Sequence, residues 1–186
     1  MSTVASAAEE TALRWLAEED AIRARLDRKT GFARSDQVAG RSGLELLQAM
    51  LDGEIPRAPI SETLDFLLMR VEPGAAVFQG RPQLKHYNPL GTVHGGWFAT
   101  LLDSALGCAV QTTLPAGRAY TTMEFKVHLV RPLTEAVPVV RAEGKVLHAG
   151  RQVATADARL VGPDGRLYAH GTTTCLVFDQ SSRSSP

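Results

Sequence analysis

"NPLGTVHGGWFATLLDSALG", residues 88–107, begins as a loop and becomes an apolar helix. Asn88, Pro89 and Gly91 are turn-forming residues. From Gly95 onward the composition is helical, and Pro115 and Gly117 stop it, so a helix is expected over 95–113. Trp97, Phe98, Leu101, Leu102, Leu106 and Val110 are large; Ala99, Ser104, Ala105, Gly107 and Ala109 are small. A helix apolar nearly all round is enclosed by protein. Gly107 in its interior costs about 1 kcal/mol relative to Ala, which predicts a close approach by a neighbouring element there.

The segments around this helix alternate with the period of strands. LDFLLMRVE (64–72) and AAVFQG (75–80) flank a Pro73-Gly74 turn, and 83–93 form a loop. After the helix, AYTTMEFKVHLVR (119–131), VPVVRAEGKVLHA (137–149), RQVATADARLVG (151–162) and RLYAHGTTTCLVF (166–178) read as strands, the last three joined at "HAGR" and "GPDG". Met123, Phe125, Val127 and Leu129 alternate with Glu124, Lys126 and His128, which predicts one buried face and one wet or partnered face. An antiparallel sheet buries such a face by curling around a single helix, an α+β arrangement.

Upstream, residues 7–29 predict a surface helix with Trp15, Ile22 and Leu26 on one face and Leu13 and Leu16 off it. Residues 30–42 read as a linker. SGLELLQAML predicts a second helix with Ser42 as N-cap, Glu45 at the capping-box position and Gly53 as its stop. Pro56 and Pro59 predict extended chain. The expected organisation is an N-terminal helical extension and linker (1–60), one sheet-and-helix domain (61–179) and a frayed polar tail (180–186).

Composition narrows the function classes. Lys+Arg and Asp+Glu are both 20, so the 186-residue chain has no formal net charge. Nucleic-acid or anionic-membrane partners would call for a basic excess. No apolar stretch reaches membrane-spanning length, and MSTVASAAEE has no basic region leading into an apolar run. Cys108 and Cys175 lie in apolar surroundings without metal-ligand spacing. They read as reduced core residues of a cytoplasmic protein, and no cofactor is expected.

Asp103 is the anomaly in the helix. A carboxylate among apolar residues needs hydrogen bonds or an altered pKa. It either bonds a neighbouring strand or faces a wet seam, or it serves as general base or nucleophile in a cleft. His94-Gly95-Gly96 stands at the helix start, where free N–H groups and the helix dipole favour negative charge and glycine admits a ligand to the backbone. That suits an oxyanion or a polarised carbonyl, although a plain glycine-rich helix start with His94 as cap has the same residues. Gly95 and Asp103 are eight residues apart, about 12 Å along a helix axis. One small carbonyl cannot touch both groups of one chain. If both act on one substrate they come from two chains, and two antiparallel helices across a twofold axis would bring them together.

The composite pattern N-x-x-G-x-x-H-G-G-(x)6-D, here Asn88, Gly91, His94, Gly95, Gly96 and Asp103, resembles the hot-dog-fold acyl-CoA thioesterases of the PaaI and thioesterase-superfamily-member-2 type. The segment T-T-M-E-F-K-V-H-L-V-R-P, ending at Arg131-Pro132, is similar to the long strand of that family. The resemblance covers residues 62–178. It implies a curved antiparallel sheet wrapped around the long helix, a homodimer whose sheets join edge to edge, and pairing of dimers into tetramers. It implies hydrolysis of an acyl-CoA thioester, with coenzyme A entering only as part of the substrate. Asp103 matches the catalytic carboxylate, Gly95 the residue whose N–H polarises the carbonyl, and Asn88 and His94 the groups that position water and thioester, with Gly96 beside them.

A Ser or Thr on the next strand assists in that family. Counting from Pro132 selects Thr122, and counting from Asp103 selects Thr121, which strand alternation places on the opposite face. Arg131, Arg141, Lys145 and Arg151 are candidates for the CoA phosphates, Arg131 and Arg151 foremost. Trp97, Phe98, Leu106 and Met123 either shape the acyl pocket or belong to the core. Two other functions fit the same fold: an enoyl-CoA hydratase or dehydratase using His94 and Asp103, and a non-catalytic acyl-CoA-binding module.

Overall fold

The computed structural model describes residues 2–26 and 30–180. The expected helical residues 27–29 and the tail residues 181–186 lie outside the described residues. Four helices come first: α1 (Ser2–Arg25), α2 (Ser35–Val38), α3 (Gly43–Leu51) and α4 (Pro59–Thr63). Strands β1 (Phe66–Glu72) and β2 (Ala75–Gly80) follow, then a 3-10 turn at Leu84–His86 and the long helix α5 (Gly95–Gln111). β3 (Arg118–Leu129), β4 (Val140–Ala149), β5 (Val153–Val161) and β6 (Leu167–Asp179) complete one antiparallel sheet in the order β1-β2-β4-β5-β6-β3.

The sheet wraps α5. Leu101, Leu102, Ala105, Leu106, Ala109 and Val110 have no exposed surface, and Trp97 and Phe98 are buried with them. Small residues set how close the strands come. A Cβ on Gly144 of β4 would stand 2.3 Å from the Ala105 carbonyl oxygen, and one on Gly107 would stand 2.4 Å from the Tyr120 hydroxyl of β3. The predicted close approach at Gly107 is therefore made by Tyr120.

The outer face of the sheet is covered where α1 crosses it. Phe78 and Gly80 face α5, so strand alternation turns Gln79 the other way. Its amide donates to the Trp15 carbonyl (2.9 Å) and to Glu19 (2.7 Å). Glu19 is fully buried and also pairs with Arg23 and Arg81. A buried carboxylate is tolerable here because three donors saturate it. Ala12 and Trp15 join Val139 and Val161 in a second apolar cluster. The expected surface helix is thus a cover for β2 and β4.

α3 forms as its residues dictate: Ser42 Oγ accepts from the Glu45 N–H, Glu45 accepts from the Ser42 N–H, and Gly53 takes φ +79°. Two local expectations need correction. Pro59 does not extend the chain but opens α4 at the first helical position, where its missing N–H costs nothing. The linker contains the single turn α2. The apolar face of β3 also differs from expectation. Val127 packs on the core, yet Met123, Phe125 and Leu129 are 61%, 41% and 53% exposed. β3 is an edge strand, and a bulge at Met123 interrupts its pairing with β6, so no further strand lies beside it to shield those side chains. Among the described residues no helix is long and apolar enough to cross a membrane.

Candidate active site

The helix start is organised by His94. Its Nδ1 accepts from the Gly96 N–H at 2.9 Å, which leaves the ring proton on Nε2. Among the described residues the Gly95 N–H has no partner, so it is the free donor at the positive end of a 17-residue helix. Asn88 is committed to its own loop. Its Oδ1 accepts from the N–H groups of Leu90 (2.8 Å) and Thr92 (3.3 Å), and its Nδ2 donates to Thr92 Oγ1 (3.0 Å). It shapes the approach to Gly95 rather than presenting a free amide. Asn88, Gly95, Leu129 and Arg131 line one open cleft of about 260 Å³, and the Arg131 guanidinium lies 6.0 Å from the centre of the Tyr168 ring.

Two turns further along α5, Asp103 lines a different cavity of about 220 Å³. Its surroundings are apolar, with Phe66, Phe78, Cys108 and Tyr120 in the wall and Arg57 and Ser61 as polar members. Desolvation pushes the Asp103 carboxyl above the usual carboxylate range, and one hydrogen bond from Thr122 partly offsets this. Thr122 Oγ1 donates to Asp103 Oδ1 at 3.3 Å. Thr121 is on the opposite, exposed side of β3. Burial, and then the Asp103 charge, push the Cys108 thiol up to about 12. Burial likewise keeps the Tyr120 phenol neutral. Asp103 is thus the one group of this trio that can be anionic near neutral pH.

One chain therefore does not assemble the motif at a point. It places Gly95 and Asp103 in two separate cavities on one helix. Among the phosphate candidates, Arg141 is committed elsewhere: it lies 4.4 Å over the Trp15 ring, donates to Gln79 Oε1 at 2.8 Å and pairs with Glu18. Arg151 is exposed beside Arg118, which donates to its carbonyl, in a cleft at the β4–β5 turn; Lys145 is exposed on β4. Trp97 and Leu106 are core, the Trp97 indole N–H donating to the Leu64 carbonyl at 2.9 Å; Phe98, also buried, reaches the Gly95 cleft. Met123 lies on the open face of β3. Sequence reasoning missed the N-terminal contributors to the Asp103 cavity, Leu26, Met50, Leu51 and Ile60. Nothing in their local pattern marks a cavity wall. Among the described residues no group of three His, Cys, Asp or Glu side chains could hold a metal ion.

The family model of the thioesterase superfamily matches residues 90–169, the span that carries both Gly95 and Asp103. Over that span the chain is similar to the thioesterase superfamily. Its hot-dog fold recurs in solved structures of that superfamily. A putative thioesterase from Ralstonia eutropha, described as phenylacetic acid degradation-related, is 27% identical, with 69% of this chain and 97% of that one covered and a TM-score of 0.63. A variant of the phenylacetic acid degradation protein PaaI from Thermus thermophilus is 29% identical over 63% of this chain and 97% of that one, with a TM-score of 0.57. A thioesterase from Haemophilus influenzae, 15% identical, shares the fold at a TM-score of 0.65 over 80% of this chain and 99% of its own. Among curated proteins none matches this chain in sequence.

Proposed function

We propose that this protein hydrolyses acyl-CoA thioesters at a site shared by two chains, with Asp103 as the catalytic carboxylate. The observation that carries the proposal is a desolvated, Thr122-bonded carboxylate on the same helix as a Gly95 N–H that has no partner among the described residues. A thioester carbonyl gains negative charge on attack, and an N–H at a helix N-terminus stabilises that charge. Desolvation makes Asp103 a stronger base than an exposed aspartate.

In the base-catalysed course, Asp103 takes a proton from a water whose oxygen bonds to the acyl carbon. The tetrahedral oxyanion rests on the Gly95 N–H. The C–S bond then breaks, and the CoA sulfur leaves with the proton held by Asp103. In the nucleophilic course an Asp103 oxygen adds to the acyl carbon and the C–S bond breaks, releasing CoA thiolate. Water then attacks the Asp103 carboxyl carbon of the resulting anhydride, freeing the acid and regenerating the carboxylate, and the thiolate takes up the proton that the water loses. A single turnover in ¹⁸O-labelled water separates them, because only the second leaves label in the Asp103 side chain. In both courses Thr122 orients the carboxylate, His94 fixes the helix start by accepting from the Gly96 N–H, and Asn88 holds the loop over the cleft that Gly95 and Arg131 line.

About 12 Å separates Gly95 from Asp103 on one helix, so the Gly95 of one chain works with the Asp103 of another. The exposed apolar edge of β3 supports a dimer in which two β3 strands meet and continue the sheet. Arg131 and Arg151 are proposed to meet the CoA phosphates, since neither is tied to a carboxylate among the described residues. Asp103→Asn tests the assignment: hydrolysis of acyl-CoA falls by about 10²–10⁴-fold, and retention of the wild-type rate would refute it.

A further inference from the structure

The cavity at Asp103 is not built by the sheet and α5 alone. Leu26 follows α1, Met50 and Leu51 end α3, and Ile60 begins α4; all four line it. These elements are held in place independently of the cavity. The Gly43 N–H donates to the Leu114 carbonyl at 2.8 Å, and a Cβ on Gly43 would stand 1.8 Å from the Gln111 carbonyl oxygen. α3 is thereby seated against the C-terminal end of α5. Glu19 and Gln79 seat α1 on β2 in the same way. Leu51 belongs to the core, but two of the wall side chains are only partly covered: Met50 is half-buried and Ile60 is 48% exposed. Apolar side chains left beside a cavity that holds the reacting carboxylate are available to an apolar part of the substrate.

We propose that the N-terminal segment is the acyl-selecting wall of the site, with Met50 and Ile60 setting the accepted length. This rests on the hydrolase activity proposed above, in which the acyl group leaves the carbonyl on the Asp103 side. A cavity of about 150 Å³ lined by Leu, Ile and Phe takes one benzene. At about 220 Å³ the space is about half as large again. It suits a ring with two or three further carbons, or a straight chain of about eight, and excludes a long fatty chain. The substrate class is therefore thioesters of compact, uncharged acyl groups.

The test is kcat/KM for straight-chain acyl-CoAs from butanoyl to palmitoyl, on the full chain and on Met50→Trp and Ile60→Trp. Wild type peaks near octanoyl. Each tryptophan lowers the octanoyl-to-butanoyl ratio by about tenfold or more, the discrimination one or two displaced methylenes give in an apolar pocket. A ratio is insensitive to loss of folded protein, which lowers both rates alike. Ile60 is exposed, so its variant folds even where Met50→Trp does not. A ratio unchanged in both variants, or a wild-type preference for palmitoyl, overturns the wall while leaving the hydrolase standing. No hydrolysis of any acyl-CoA by wild type overturns the activity, and the wall with it.

Discussion

In the proposed reaction Asp103 carries the chemistry, and two expectations follow from its surroundings. Burial favours its protonated form, so the acid limb of kcat/KM lies above that of an exposed aspartate. Thr122 donates to the carboxylate and opposes that shift. Thr122→Ala therefore moves the limb to higher pH and lowers kcat/KM at neutral pH by about five- to tenfold, the worth of one long bond to a charged group. Thr121→Ala leaves the limb in place, because that side chain is on the other face of β3. A pH–rate profile of the two variants checks both. The sign for stability is the reverse of the usual carboxylate case. The folded state holds the Asp103 proton more tightly than the unfolded chain. The favourable contribution is present below the unfolded carboxylate range and is lost as pH rises through the folded pKa. Asp103→Asn therefore melts higher than wild type at pH 7, and the gap closes below about pH 4. Equal melting temperatures at pH 7 would mean that the carboxylate is not strained by its cavity.

The central elements depend on where a Cβ is absent. A Cβ at position 144 would meet α5 backbone, which cannot swing aside, so Gly144→Ala forces β4 off the helix. Its cost is about 1–3 kcal/mol, read as a lower urea midpoint. Such contacts explain what was legible in the sequence. The helix at 95–111, the β1–β2 hairpin, the later strands and the Ser42–Glu45 cap rest on spacings of two to four residues, so pattern alone placed them. Pro59 misled because a proline fits both extended chain and the first turn of a helix. The face of β3 misled because alternation reports which side is apolar, not whether another strand lies beyond it. Glu19 was illegible because its partner Gln79 is 60 residues away. The site shows the same division. The HGG start and Asp103 stood out by residue type, and Thr121 could not be told from Thr122 until β3 was placed beside α5. Met50 and Ile60 became part of a cavity only through the packing of α3 and α4.

In the proposed dimer each chain supplies halves of two sites. Met123 and Phe125 on the β3 edge are then interface residues, and Phe125→Arg yields a monomer by sedimentation whose hydrolysis falls with its association. The sharpest variant pair comes from the helix. Gly95→Pro deletes the unpartnered N–H while proline suits the first helical position, and His94 at ψ 137° already has the backbone a following proline requires. Its kcat should drop by about 10²–10³-fold. The decisive measurement is acyl-CoA hydrolysis by co-expressed Gly95→Pro and Asp103→Asn chains, each inactive alone. Random pairing makes half the dimers mixed, and each mixed dimer has one of its two sites intact. The account predicts recovery to about a quarter of wild-type activity; no recovery in dimers shown to be mixed would contradict it.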